Sequence, residues 1–280
     1  MYSSTKINLG PSRDERYERD LHTRIRRPVR DVYQVGIIGL KGGAGRTVVS
    51  MALGSTLSKV RGDRILAIDA DPAAGNLGDR CPRQSSATIA DLLADPNIVR
   101  YSDIRAYTNT NSTNLEVLAS PTFSAASRPL DDADWHRAVE AASRHYNIIV
   151  SDCGANLFAP PTRAVLSSGA HLVIVTSASA DGVRQVGTTL EWLWHNGYQE
   201  AINRACVVIN HINRRASNID IDDVVQRFQQ YLPTQRVIAL PWDKHIANDI
   251  EIQLELIGTT YRRRMTELAA ALSDNFSTEP

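Results

Sequence analysis

Net charge is the first thing this sequence lacks. Its 31 Lys and Arg balance 31 Asp and Glu over 280 residues, so no overall field draws the chain toward nucleic acid or an anionic membrane. Binding of that kind would need a local basic patch. Cysteine is scarce too: Cys81, Cys153 and Cys206 lack the spacing of a metal cluster, and two of them lie inside apolar runs. Reduced, buried thiols in a cytosolic compartment are the expectation. No apolar run approaches the roughly 20 residues that a bilayer span needs. The polar N-terminal stretch lacks the apolar centre of a secretion signal. A water-soluble, cytoplasmic protein is expected.

What is present is a hydrophobic content of 42% in a chain long enough for one large α/β domain. Residues 1–32 read as a polar arm or irregular helix, with seven arginines from Arg13 to Arg30 interleaved with Asp14, Glu15, Glu18 and Asp20. The acids cancel much of the field, which favours a solvated or packed arm over a basic tail. Residues 33–275 read as one domain and 276–280 as a polar tail. Short β-branched runs at 35–40, 65–69, 115–119, 147–152, 171–176, 205–210 and 237–241 predict seven strands. Helical patterns at 46–60, 88–94, 131–144, 160–168, 181–196, 219–231 and 260–273 fall between them. That alternation predicts an α/β fold of the P-loop type: a mostly parallel sheet of seven to eight strands with helices on both faces. Right-handed crossovers then bring the carboxyl ends of the strands to one edge, where open α/β sheets bind ligands.

The first strand runs straight into Lys41, Gly42, Gly43, Ala44, Gly45, Arg46 and Thr47, and then into a helix starting at Val48. Strand, glycine-rich loop and helix in that order make a phosphate cradle. Glycines let backbone N–H groups turn inward, the helix start adds its positive dipole end, and the Thr47 hydroxyl is placed to bind magnesium. Two positions depart from the GxxxxGK[ST] pattern. Leu40 stands at the first glycine and Arg46 at the lysine. Arginine keeps the charge, but its planar head does not substitute simply for a compact ammonium between two phosphates. The departure puts hydrolysis in question more than binding.

With Lys41 four residues ahead of Gly45, the loop resembles the deviant Walker A motif KGGxGK[ST] of the ParA/MinD superfamily, and the resemblance extends over about residues 33 to 275. It implies an ATP- and Mg2+-dependent switch that forms a nucleotide-sandwich homodimer, with Lys41 reaching the partner's phosphates. It also implies roles for the acids: Asp71 orients or deprotonates the attacking water, Asp69 supports the Thr47 and magnesium shell, and Asp152 reaches magnesium as a Walker B aspartate. For Asp71 an Asp-Pro turn is the alternative. On the adenine side the resemblance points to Asn210, Pro241 and Asp243, for which an Asn cap and a Pro turn are the structural alternatives.

The segments DERYERDLHTRIRRP, GLKGGAGRT, ILAIDADPAAGNLGDR, SDCGA, RACVVINH and PWDKHIA further resemble the ATPase domain of EspI-type proteins, associated with type VII (ESX) secretion. That likeness implies a secretion component as partner. Members of that group typically keep lysine where this chain has Arg46. A nucleotide-gated scaffold with little turnover and a partition-like DNA-binding ATPase are the competing readings; zero net charge argues against the latter. In the last helix, Met265, Leu268, Ala269 and Leu272 recur at the spacing of a face packed on the sheet, against a membrane anchor. His211, His245, Trp192 and Trp194 carry no metal or cofactor signal.

Overall fold

A computed structural model describes residues 10–71, 75–122, 128–214, 219–229, 232–248 and 251–276. Eight strands form one sheet: β1 (Tyr33–Ile38), β2 (Ile65–Ala70), β3 (Asn109–Thr110), β4 (Glu116–Leu118), β5 (Ile148–Cys153), β6 (His171–Ser177), β7 (Cys206–Asn210) and β8 (Val237–Leu240). Their order is β3-β4-β2-β5-β1-β6-β7-β8, parallel throughout except for the β3–β4 pair. The eighth strand, β3, has no apolar run to announce it.

Among the described residues, eleven α-helices accompany the sheet: α1 (Arg13–Ile25), α2 (Arg46–Arg61), α3 (Ile89–Ala94), α4 (Tyr101–Arg105), α5 (Asp132–Ser143), α6 (Pro160–Ser167), α7 (Ala180–His195), α8 (Gln199–Arg204), α9 (Ile221–Gln229), α10 (Lys244–Ala247) and α11 (Thr259–Ser273). The residues 230–231 of the helix expected over 219–231, the first nine residues of the arm and residues 277–280 of the tail lie outside the described residues.

Strand pleating splits the core in two. Val35 and Ile37 of β1, Ile148 and Val150 of β5, and Val173 and Val175 of β6 face α1, α2 and α11. Their neighbours Ile38, Ile149, Leu172 and Ile174 face α5, α6 and α7. The last helix packs as its spacing suggests, with Met265, Leu268, Ala269 and Leu272 buried against the sheet. All three cysteines are free and buried. No described helix is long and apolar enough to cross a membrane.

Thirteen of the described N-terminal residues form a packed helix, α1, so of the solvated and packed alternatives for the arm the structure has the packed one. Ser12 and Glu15 close a reciprocal capping box at the start of α1. Leu21 and Ile25 are buried in the core shared with α11. Around them Arg24 makes a two-pronged bond to Asp274 at 3.0 and 2.5 Å, and Tyr17 donates to Glu267 at 3.3 Å. The exposed rim of such contacts contributes little, so the two apolar anchors carry the attachment. Replacing fully buried Ile25 by Ala is therefore expected to lower unfolding stability by about 2–4 kcal/mol. A urea titration showing no change would mean that α1 is not held to the sheet.

Candidate functional site

At the sheet's carboxyl edge the chain changes direction across β1: the connection from β1 leads to β2 on the β5 side, whereas β5 is followed by β6 on the other side of β1. That reversal opens a crevice above the end of β1. Residues 39–45 fill its floor. Gly43 and Gly45 have φ of 74° and 90°, the left-handed region open to glycine. A side chain at Gly45 would also strike the Asn210 amide, 2.3 Å from an ideal Cβ. Gly42 and Gly43 face open space.

The start of α2 carries no capping side chain, a trait it shares among the long helices with α11. The starts of α1, α5 and α7 carry a side-chain cap and acids in the first turn, whereas α2 has neither. Its first-turn N–H groups and its positive dipole end are left for an external acceptor. This fits a phosphate ligand. A cavity of about 570 Å³ opens here, lined by Gly43, Thr47, Asp71, Asn210, Pro241 and Asp243 among others.

The carboxylates converge beneath the loop. Asp69 of β2 and Asp152 of β5 are register partners on adjacent strands, and both are nearly inaccessible. Ser50 donates to Asp152 Oδ1 at 2.8 Å, and Thr47 also bonds that carboxylate. Burial pushes Asp152 up to about 6, although the Thr47 and Ser50 bonds and the Arg46 charge pull the other way. Burial first, and then the Asp152 charge, raise Asp69 well above the usual carboxylate range. Two like charges held this close in a dry site call for a proton or a cation between them. Among the described residues no three His, Cys, Asp or Glu side chains converge. A hard divalent cation would therefore take the Thr47 hydroxyl, Asp69 or Asp152, and oxygens from water or phosphate, a donor set that suits magnesium.

Several expected residues sit in the site with their side chains already engaged. Asp69 accepts from the N–H groups of Asp71 and Leu77 at 3.1 and 3.2 Å, bracing the loop that carries Asp71. Asp71 lies across the site against Gly154, where an added Cβ would meet its carboxylate at 2.8 Å; Pro72, the turn residue after it, lies outside the described residues. Arg46 points its guanidinium inward: Nε donates to Cys153 O at 2.9 Å, and Nη1 donates to Gly39 O and Lys41 O at 3.0 and 2.6 Å. Lys41 pairs at 3.1 Å with Asp181 at the start of α7, both about half exposed. The Lys41 ammonium holds the Asp181 carboxyl below its ordinary value.

On the far side of the cavity, Asn210 donates its amide to Ala44 O at 3.0 Å and so ties β7 to the loop. Asp243 caps α10, accepting from His245 N, Ile246 N and Gly258 N at 2.9, 3.1 and 2.9 Å. Asp243 is thus the residue that caps a helix, whereas Asn210 braces the phosphate loop rather than forming an Asn cap. Ser50 and Asp181 went unnoticed in the sequence. Ser50 lies one turn beyond Thr47 on the same helical face, a spacing that could have pointed to Asp152's strand end. Asp181 reads in sequence as an ordinary first-turn acid of α7, since only the fold brings it to Lys41.

Comparison with known proteins agrees with this geometry. The CobQ/CobB/MinD/ParA nucleotide binding domain matches residues 35–256. ESX-1 secretion-associated protein EspI of Mycobacterium tuberculosis (strain H37Rv) is 54% identical over 276 residues, which cover 99% of this chain and 41% of that protein. The chain thus spans about two fifths of the length of that relative. Cell division ATPase MinD of Pyrococcus furiosus superposes with a TM-score of 0.65 at 20% identity, over 86% of this chain and 98% of MinD. A ParA family ATPase from Chlorobium tepidum does so at 0.65 and 19%, over 88% and 98%.

Proposed function

This chain belongs to the CobQ/CobB/MinD/ParA nucleotide-binding family, and from that premise we propose that it is an ATP- and Mg2+-operated switch supporting type VII secretion. The observation that carries this reading is the uncapped start of α2 set directly above the Asp69–Asp152 pair. An anionic ligand over the loop and a cation beside the carboxylates satisfy both at once. Residues Gly42 to Val48 cradle the phosphates, and magnesium supplies charge neutralisation of the leaving phosphate oxygens. Thr47, Asp69 and Asp152 orient that cation, and Asp71 on the braced loop positions the attacking water. Asn210, Pro241 and Asp243 shape the base end of the cavity. The secretion setting rests on the 54% identity to EspI, and a secretion component is the partner that reads the state.

In the single chain Lys41 is held by Asp181. For the ammonium to reach a partner's phosphates in a sandwich dimer, that pair must open. We expect Asp181→Asn to lower the ATP concentration needed for half-maximal dimerisation by about two- to fivefold, the worth of a half-exposed ion pair. An unchanged midpoint would remove Lys41 from the dimer step. The reading as a whole is tested by light scattering on size exclusion with magnesium and ATP, run beside phosphate release. Dimerisation with turnover supports the switch, and a chain that stays monomeric and binds no ATP sinks it.

One observation favours a second reading. Arg46 spends its guanidinium on three carbonyls of the loop and of β5. With no flexible ammonium at this position, the chain serves instead as a nucleotide-gated scaffold: ATP binding fixes the conformation and turnover is slight.

A further inference from the structure

The nucleotide cavity continues past Asn210 into a compartment walled by Ile212, Pro241, Trp242, Ile246, Ala247 and Tyr261. Most of that wall is apolar and suits the faces of a planar ring; what it offers the ring's edge is decided by its few polar atoms. Asp243 has both oxygens engaged by the N–H groups of His245, Ile246 and Gly258. The Asn210 amide donates to Ala44. Tyr261 is different. It sits in the first turn of α11, is 1% exposed, and its hydroxyl has no hydrogen-bond partner among the described residues. Burial keeps this phenol protonated and neutral.

A buried hydroxyl left without a partner is disfavoured in the folded chain, so such groups are rare unless something external completes them. The backbone here is fixed from two sides: Gly258, at the N-cap of α11, donates to Asp243, while Met265 and Leu268 hold the same helix against the sheet.

We propose that the Tyr261 hydroxyl is a base-binding group, accepting a hydrogen bond from the exocyclic amino group of adenine. The proposal rests on the nucleotide reading above and adds to it the residue that touches the base edge. A phenol can also donate, so this contact favours a purine bearing any polar 6-substituent over one bearing none, and it leaves the choice between amino and oxo to the rest of the wall.

The test measures affinities for ATP and for purine riboside triphosphate, which lacks the 6-amino group, with magnesium present. It uses the full chain and its Tyr261→Phe variant, and it includes thermal unfolding of each without nucleotide. The wild-type chain is expected to bind ATP about tenfold more tightly than the 6-unsubstituted analogue. Tyr261→Phe is expected to bind both alike, at the weaker level. Its nucleotide-free melting point should be unchanged or higher, which a merely structural tyrosine would not give. The inference is overturned if the wild type binds both nucleotides equally, or if the variant keeps the tenfold preference. A wild-type chain with no affinity for ATP would instead sink the nucleotide reading itself.

Discussion

Exchanging Arg46 for Lys is expected to raise phosphate release tenfold or more while lowering stability. In the present chain the guanidinium spans the loop floor, bonding carbonyls at the end of β1, at Lys41 and at the end of β5. Three acceptors in different directions suit a planar fork and do not suit a single ammonium. The floor is also tight: a Cβ at Gly39 would lie 2.4 Å from Val175 O. A lysine at 46 would leave part of that network unmet, at a cost of about 1–3 kcal/mol. It would also have the freedom to follow charge as it develops on the transferring phosphate, which is where electrostatic stabilisation accelerates the reaction. Single-turnover phosphate release and urea unfolding of the two proteins read the two effects separately. Equal turnover would mean that Arg46 leaves the carbonyls and already serves the phosphates. Faster turnover with no loss of stability would mean that the floor contacts contribute nothing.

The parts of this molecule that depend on local pattern were open to sequence reading. Runs such as 147–152 and 171–176 are too uniformly β-branched to be anything but buried parallel strands, and the glycines of the loop point to a phosphate cradle because strand and helix flank them. Other features depend on distance. β3 consists of Asn109 and Thr110 alone, and it exists because β4 offers them an edge. α1 carries a capping box that is visible in Ser12 and Glu15, yet its charges mask the two buried apolar residues, Leu21 and Ile25, that anchor it. The strand ends announce Asp69 and Asp152 as charged groups, but their facing each other is a matter of register between β2 and β5. The pairing of Lys41 with Asp181 needs the whole crossover from β6 to α7 before it can occur. Side chains already committed to the protein, such as Asp243, cannot be told from ligand-binding ones by type and position alone.

The Asp69–Asp152 pair yields the second large effect, because two buried carboxylates on adjacent strands repel one another unless a proton or, on the reading proposed above, a cation stands between them. Replacing Asp152 by Asn is expected to stabilise the nucleotide-free protein and to abolish magnesium-dependent function together. The sign follows from the direction of the shift. Asp152 is pushed up to about 6 in the fold, above the roughly 4 of an unfolded aspartate, so the folded state holds this proton more tightly. Its penalty is absent below the unfolded value, grows as pH rises between the two, and stays constant above. A difference of about two units corresponds to roughly 3 kcal/mol. Asp134 acts in the opposite sense, since the Arg128 guanidinium holds its carboxyl far down, but it is common to both proteins and cancels between them. Asp152→Asn should therefore gain about 1–3 kcal/mol over wild type near pH 7.5 and almost nothing near pH 4. With magnesium and ATP the order reverses. Wild type gains stability from the bound ligands, whereas the variant shows no magnesium-dependent shift and loses hydrolysis by roughly a hundredfold or more. Thermal unfolding across that pH range, with and without magnesium and ATP, tests both halves. A variant no more stable than wild type near pH 7.5, or one that keeps its magnesium response, would show that Asp152 is not the carboxylate the cation answers.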